Sequence, residues 1–186
     1  MRTFMALDID SRIRQRLACL RQQLNARDAK IRWVEPENLH VTLNFLGEVA
    51  DSSLPAVCEA ATSAAAEIEP FDFDVRGLCC VPKGSRPTMI WAGVSDDTMR
   101  MAELQEQLAA RLESLGFRRD SRPFKPHITV ARIKSARNPR PLQQAVAILA
   151  DIDVGRRHAE ELVVYSSQLT LSGPIYAPVA TAPLDR

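Results

Sequence analysis

The chain has 186 residues, 46% of them hydrophobic, and its 24 lysines and arginines against 23 aspartates and glutamates leave a net charge of +1. These values predict a single domain over residues 1–186 and exclude polyanion binding over the whole surface, so any nucleic-acid contact must be local. The four cysteines lack Cys-x-x-Cys spacing, and neither a signal-like segment nor an apolar stretch of roughly 18 residues is present. We therefore expect a reduced, cytoplasmic protein that does not contact membranes.

The first half of the chain alternates strand and helix signals. Asp10 or Ser11 can cap a helix with leucines on one face, and Pro55 suits the first turn of an alanine-rich helix. The predicted elements, in chain order, are a strand at 2–9, a helix from 11 to about 26, strands at 31–34 and 39–46, a helix ending at 69, and strands around FDFDVRGLC and TMIWAGV. The basic turn PKGSRP separates the last two strands, and Gly47 closes the strand at 39–46.

The second half repeats this order. A helix is predicted at 97–115, where apolar residues recur at helical spacing before Gly116. It is followed by a strand at KPHITVARI, a helix at PLQQAVAILA, and strands at ELVVYSSQLTL and PIYAPVA. Each half therefore carries a helix, a strand with a His-x-Thr motif, another helix and a strand pair, which predicts two pseudo-symmetric lobes within one domain.

The His-x-Thr motif occurs as HVTL at residues 40–43 and as HITV at residues 127–130. Because strand side chains alternate, His40 and Thr42 share one face, as do His127 and Thr129. Threonine hydroxyls can donate to phosphate oxygens, and a histidine with an ordinary pKa of about 6.5 can act as acid or base near neutral pH. Two such pairs predict a cleft for in-line displacement at phosphorus, with one histidine on each side.

Other residues near the motifs are candidates of lower specificity. Arg132 alternates to the opposite face from His127 in a regular strand, so it reaches the phosphate only if the strand ends or bulges before it. Phe45 and Phe124 flank the motifs and are candidate base contacts, whereas Trp33 and Trp91 are expected in the core and His158 at the surface. A single His-x-Thr motif is more often structural than catalytic, and the second copy changes that balance.

The sequence lacks the motifs that are typical of other catalytic classes. The chain has no His-Glu-x-x-His motif or Cys/His cluster, no Gly-x-Ser-x-Gly elbow, and no Walker A or Gly-x-Gly-x-x-Gly loop. We therefore expect an acid/base enzyme without a metal or other cofactor.

Paired His-x-Thr motifs about eighty to ninety residues apart resemble the two-histidine phosphoesterase superfamily. The segments MRTFMALDID, WVEPENLHVTLNFLGEV, PTMIWAGV, SRPFKPHITVARI and VVYSSQLTLSGPIYAPVATAPL look, in order and spacing, like its RNA 2′,3′-cyclic phosphodiesterase branch, also called the 2′-5′ RNA ligase family. The most specific parts are FLG after the first motif and F-x-P-H-I-T-x-A-R at the second. CCVPKGSR departs from the family, which often carries an aromatic residue there.

This resemblance implies a bilobal α+β fold in which two antiparallel sheets face a central groove, with helices outside. It also implies hydrolysis of RNA terminal 2′,3′-cyclic phosphates to 2′-phosphates without a metal. The family's catalytic pair corresponds to His40 and His127, its phosphate-binding hydroxyls to Thr42 and Thr129, and its arginine to Arg132. His127 is assigned as the base and His40 as the acid, although the sequence leaves the reverse open.

Two other hypotheses use the same residues. The first is reversible 2′-5′ ligation of RNA ends, in which a hydroxyl replaces water. The second is a non-catalytic module that binds nucleotides or RNA ends, although binding alone requires no second proton-transfer group. In each case the expected partner is an RNA 3′ end or a nucleotide with a 2′,3′-cyclic phosphate, and the protein is expected to be a monomer.

Overall fold

A computed structural model describes residues 1–24, 29–84, 86–170 and 173–185. Within these residues the chain forms nine strands and four α-helices. The strands are β1 Arg2–Asp8, β2 Ala29–Trp33, β3 His40–Glu48, β4 Phe71–Val81, β5 Met89–Ser95, β6 His127–Ala136, β7 Asp153–Ala159, β8 Glu161–Leu169 and β9 Pro174–Pro183. The helices are α1 Ser11–Gln23, α2 Leu54–Ala65, α3 Arg100–Ser114 and α4 Arg140–Ile148.

The strands form one antiparallel sheet in the order β7-β4-β5-β6-β3-β1-β8-β9, with β2 paired to β6. The predicted α+β class with an antiparallel sheet is thus confirmed, but the two expected sheets are continuous. Their junction is the β3–β6 pairing, which within the described residues consists of the single pair Val41 and Ile128. Beyond this pair, β2 borders β6 on the same side, and β3 pairs along its other edge with β1.

The helices cover the sheet with their apolar stripes. Helix α1 packs on β7, α4 packs on β4, and α2 contacts α3, β8 and β9. The buried side chains of α3 are Met101, Leu104, Leu108, Ala109 and Leu112, which recur at helical spacing. Among the described residues, no helix is both long and apolar enough to cross a membrane.

Local chemistry explains where the helices begin and end. Asp10 caps α1, as predicted, because its carboxylate accepts a hydrogen bond from Ile13 N at 2.8 Å. Residues 25 and 26, where this helix was expected to end, lie outside the described residues, as does Ser85 in the PKGSRP turn. Helix α2 ends at Ala65 rather than 69, and the next residues form a tighter turn in which Glu67 N donates to Ala64 O and Ile68 N to Ala65 O.

Strand β7 is absent from the sequence prediction. Its residues DVGRRHA include three consecutive charged or titratable side chains, which hide the apolar alternation of a strand. The structure shows Arg156 paired with Asp74 at 2.7 Å and His158 Nδ1 2.7 Å from Asp72, both on the neighbouring strand β4. His158 is therefore a surface residue, as predicted.

Candidate active site

The two His-x-Thr strands meet at the junction of the sheet. Val41 on β3 pairs with Ile128 on β6, and both side chains are fully buried. Because antiparallel partners run in opposite directions, continuing this register by one residue each way sets each histidine opposite the threonine of the other strand. These four flanking residues are His40, Thr42, His127 and Thr129. They share the face opposite the buried pair, so the repeated motif becomes one polar group with local twofold symmetry.

The ring of His40 is held on both of its nitrogens. Nδ1 lies 2.8 Å from Asn38 O, and Nε2 lies 2.9 Å from the Thr42 hydroxyl. Since a carbonyl oxygen only accepts, Nδ1 carries the proton in the neutral ring and Nε2 accepts from Thr42. Phe4 stacks on the ring at a centroid distance of 4.8 Å, and Tyr176 meets it edge-on at 5.4 Å.

The ring of His127 on β6 is oriented by the same kind of hydrogen bond. Its Nδ1 donates to Lys125 O at 2.7 Å, again the carbonyl two residues earlier in the chain. Nε2 of His127 forms no hydrogen bond with any described residue. Trp91 of β5 stacks on the ring with centroids 3.6 Å apart, so Trp91 is more than the core residue expected from the sequence. An aromatic face at this distance is suited to a ring that carries positive charge.

Burial lowers the pKa of both catalytic candidates. For His40, desolvation outweighs the Asn38 carbonyl and the negative charge of Asp8, which raise its pKa, and Arg14 and His127 lower it further. For His127, desolvation outweighs the Lys125 carbonyl. The neutral form of both rings is therefore favoured at neutral pH, and an anion placed nearby would raise both pKa values.

These lowered pKa values predict that the protein loses stability in mild acid. The unfolded chain binds protons at the ordinary histidine pKa of about 6.5, whereas the folded chain binds them only at lower pH. The free energy of unfolding should therefore fall as the pH drops below about 6.5, and His40→Asn should reduce this pH dependence. Urea unfolding of both proteins at pH 7.5 and pH 5.5 measures the effect. Equal pH dependence in wild type and variant would contradict this attribution.

Arg132 reaches the histidine face because β6 contains a bulge. Trp91 pairs with Thr129 and Ile90 with Ala131, so one residue of β6 is extra at this point. The buried side chains of Val130 and Ala131 are consecutive, and the alternation is inverted beyond them. The bend that the sequence required for Arg132 is therefore present. A guanidinium on this face can form two parallel hydrogen bonds with phosphoryl oxygens.

A cleft of about 890 Å³ opens over this face. Of the predicted site residues, the cleft walls include His40, Thr42, Thr129, Arg132 and Phe45. The side chain of Phe45 is 58% exposed. His127 does not line the enclosed volume, but the strand register sets it beside Thr42, which does. Phe124 lies apart from the cleft walls and packs, half-buried, against the hydrophobic core.

The turn before His40 is organised by Arg14 of α1, which sequence reasoning missed. Its Nη1 donates to the carbonyls of Pro36, Glu37 and Leu39 at 2.7 to 2.9 Å, and its Nε donates to Ile9 O at 3.0 Å. This turn includes Asn38, whose carbonyl orients the His40 ring. Arg14 also lies 3.4 Å from Asp8, which accepts a hydrogen bond from Tyr165 at 2.9 Å. No local sequence pattern signals these contacts, because they join a helix to a turn more than twenty residues away.

Replacing Arg14 with methionine should therefore lower both stability and turnover. The loss of hydrogen bonds from a charged donor to several part-buried carbonyls should cost about 1.5–3 kcal/mol of unfolding free energy. Urea unfolding measures this cost, and kcat should fall because the His40 ring loses its fixed orientation. Arg16→Met, on the exposed face of α1, is the matched control. Equal stability of the two variants would contradict the role of Arg14.

Comparison with known proteins shows the family to which the chain belongs. The profile of the family described as "LigT like Phosphoesterase" matches residues 7–91 and, separately, residues 93–176. An RNA 2′,3′-cyclic phosphodiesterase of Methanothermobacter thermautotrophicus is 33% identical over 176 residues, which is 95% of this chain and 95% of that protein. The protein of that name from Thermotoga maritima is 32% identical over 178 residues, covering 95% and 91% of the two chains.

Solved structures of related proteins have the same fold as this chain. A crystal structure of a Thermus thermophilus protein superposes with a TM-score of 0.83 at 27% identity, covering 99% of this chain and 98% of the other. Escherichia coli LigT complexed with 3′-AMP superposes with a TM-score of 0.78 at 25% identity, covering 100% and 98%. The chain therefore belongs to the LigT-like phosphoesterase family, in the branch whose curated members are RNA 2′,3′-cyclic phosphodiesterases.

Proposed function

We propose that this protein hydrolyses the 2′,3′-cyclic phosphate at an RNA 3′ end to a 2′-phosphate, by acid/base catalysis with two histidines and without a metal. The observation that carries this proposal is the pairing of two His-x-Thr motifs across the β3–β6 junction. It presents two imidazoles and two hydroxyls on one face of the sheet, and the cleft over that face is lined by His40, Thr42, Thr129 and Arg132. These groups are the ones that in-line displacement at phosphorus requires.

We assign His127 as the base and His40 as the acid. Nε2 of His127 makes no hydrogen bond with a described residue, so it is available to accept a proton from the attacking water. Nε2 of His40 is held by Thr42 until substrate arrives. The phosphate anion then raises the pKa of His40, Thr42 turns to a phosphoryl oxygen, and the protonated Nε2 faces the leaving oxygen.

The reaction balances with these groups alone. Water attacks phosphorus and gives its proton to His127, while the bond from phosphorus to the 3′-oxygen breaks. His40 donates its proton to that oxygen, which leaves a 3′-hydroxyl and a 2′-phosphate. Thr129 and Arg132 stabilise the charge on the non-bridging oxygens during the displacement.

The rate should depend on pH in a way that identifies two ionisations. kcat/KM requires a neutral base and a protonated acid in the free protein, so its profile should be bell-shaped. Because both pKa values are lowered by burial, the maximum should lie below about pH 6.5 and kcat/KM should fall between pH 6 and pH 8. Initial rates from about pH 4.5 to about pH 8 cover both limbs of the profile. A profile with one ionisation would contradict the two-histidine mechanism.

The direct experiment uses a short oligoribonucleotide that ends in a 2′,3′-cyclic phosphate, incubated with the protein in EDTA. We expect the product to gain one water and to carry a 2′-phosphate by mass spectrometry. Loss of turnover on metal removal would contradict the metal-free mechanism. Supplying a 5′-hydroxyl RNA in the same reaction tests ligation, since the product would then contain a 2′-5′ linkage. Binding without turnover would instead support the non-catalytic module.

We further propose that the chain acts as one domain of two pseudo-symmetric lobes and as a monomer. The two successive matches of the family profile, over residues 7–91 and 93–176, support an origin of the lobes as two related halves. Each half supplies one of the paired His-x-Thr strands. Sedimentation or light scattering would test the monomer.

A further inference from the structure

We propose that Lys134 of β6 and Arg32 of β2 form a second phosphate subsite, which binds the internucleotide phosphate one step upstream of the cyclic end. The proposal rests on the phosphodiesterase function above and makes an RNA strand, rather than a free cyclic mononucleotide, the preferred substrate. Neither residue is used by the chemistry at the histidines. Both line the same cleft as His40 and Thr129.

Strand β6 carries this subsite away from the histidines. Beyond the bulge, Arg132 and Lys134 are both exposed, with the buried Ile133 between them. Residues two apart on a strand are about 7 Å apart, so the two positive side chains follow one another along the cleft at a spacing similar to that of successive phosphates in an RNA chain. A phosphate bound at Arg132 therefore directs the next one toward Lys134.

Strand β2 adds charge from the other side. Arg32 is paired directly opposite Arg132 across the β2–β6 ladder. Like charges at directly opposite positions destabilise a sheet, and bound anions offset that repulsion. The wall beside Arg32 is built with a glycine: a Cβ at Gly173, where φ is +154°, would lie 3.0 Å from Arg32 Nη2. Gly173 thus leaves room for the guanidinium at the edge of the cleft.

The charge of the cleft supports an anionic ligand longer than one phosphate. Of the residues that the structure describes, five basic side chains and two acidic ones line the cleft, whereas the whole protein has a net charge of only +1. The basic ones are Arg2, Arg21, Arg32, Arg132 and Lys134. Among the described residues, neither Arg132 nor Lys134 forms a salt bridge with a carboxylate. Positive charge is therefore concentrated where an RNA end would lie, and it exceeds what one cyclic phosphate can neutralise.

The test compares four substrates in initial-rate assays. These are uridine 2′,3′-cyclic phosphate, the same nucleotide with a 5′-phosphate, the dinucleotide UpU with a 2′,3′-cyclic end, and that dinucleotide with an uncharged methylphosphonate linkage. For the wild type we expect kcat/KM to be at least about tenfold higher for the dinucleotide than for the mononucleotide, since the added contact is a charged hydrogen bond. The methylphosphonate should lose this gain.

Lys134→Gln and Arg32→Gln should reduce the ratio of dinucleotide to mononucleotide kcat/KM, whereas Arg16→Gln, on the exposed face of α1, should leave it unchanged. The salt dependence of kcat/KM on the dinucleotide should also weaken in the two cleft variants, because fewer counterions are displaced. A 5′-phosphorylated mononucleotide that matches the dinucleotide would show that the phosphate alone is recognised, as the proposal requires.

Other outcomes would overturn the proposal. A methylphosphonate that is as good as the natural dinucleotide would mean that the upstream base or sugar is bound instead of the phosphate. Equal kcat/KM for all four substrates would refute the proposed subsite but not the proposed hydrolysis. No turnover of any substrate by folded protein would overturn the hydrolysis and the subsite together. Thermal unfolding of each variant verifies that it is folded.

Discussion

Replacing His127 with alanine is expected to lower kcat by about 10²–10⁴-fold, the usual contribution of a positioned general base. The neutral Nε2 of this ring makes no hydrogen bond with a described residue, and the fixed Nδ1–H directs it to the cleft face. His40→Ala should lose a similar factor, because the leaving oxygen would then depart without a proton. Initial rates at saturating substrate measure both effects.

The control is His158→Ala, which removes the remaining histidine from the surface strand β7 and should retain full kcat. Circular dichroism and thermal unfolding should show that all three variants are folded, since His40 and His127 lie at the cleft face rather than in the core. A folded His127→Ala variant with near wild-type kcat would refute the role of His127 as base. Unfolding of both cleft variants would favour a structural role for the paired motifs.

Replacing Arg132 with methionine is expected to lower kcat/KM by about 10²–10³-fold, as seen when one donor to a developing oxyanion is removed. Methionine keeps much of the length of the side chain while it removes the guanidinium. Arg132→Lys should recover only part of the loss, because an ammonium keeps the charge but lacks the planar pair of donors. Comparison of kcat/KM for the three proteins on one RNA substrate measures the two contributions separately.

Arg137→Met, just beyond the end of β6, is the matched control and should change kcat/KM little. If Arg132→Met loses no more than Arg137→Met, then Arg132 does not contact the phosphate. If lysine restores full activity, then only charge is needed and the bidentate geometry is not used.

The sequence was sufficient to identify the parts of the site that reside in one strand. His40 with Thr42, and His127 with Thr129, could be placed on one face because strand alternation is a local property. The need for a bulge before Arg132 also followed from that alternation, and the structure contains the bulge between Thr129 and Ala131. The family assignment rested on the same motifs and their spacing, and the comparisons confirm it.

Strands composed mainly of charged side chains were harder to predict from the sequence. Strand β7 was missed because its charged side chains pair with β4 across a surface, and such pairing leaves no apolar alternation in the sequence. Phe45 and Phe124 looked equivalent because both flank a motif. Only the fold separates them, since Phe45 lines the cleft whereas Phe124 packs against the core.

The sequence by itself determined that His40 and Thr42 share one strand face, as do His127 and Thr129, because strand alternation depends on neighbours one or two positions away. The tertiary structure decided how the two motifs meet, through the pairing of Val41 with Ile128. It also decided which residues support them: Trp91 against His127, Arg14 beneath the turn before His40, and Arg32 opposite Arg132. These contacts join distant segments, and strand register and packing set them rather than any local pattern.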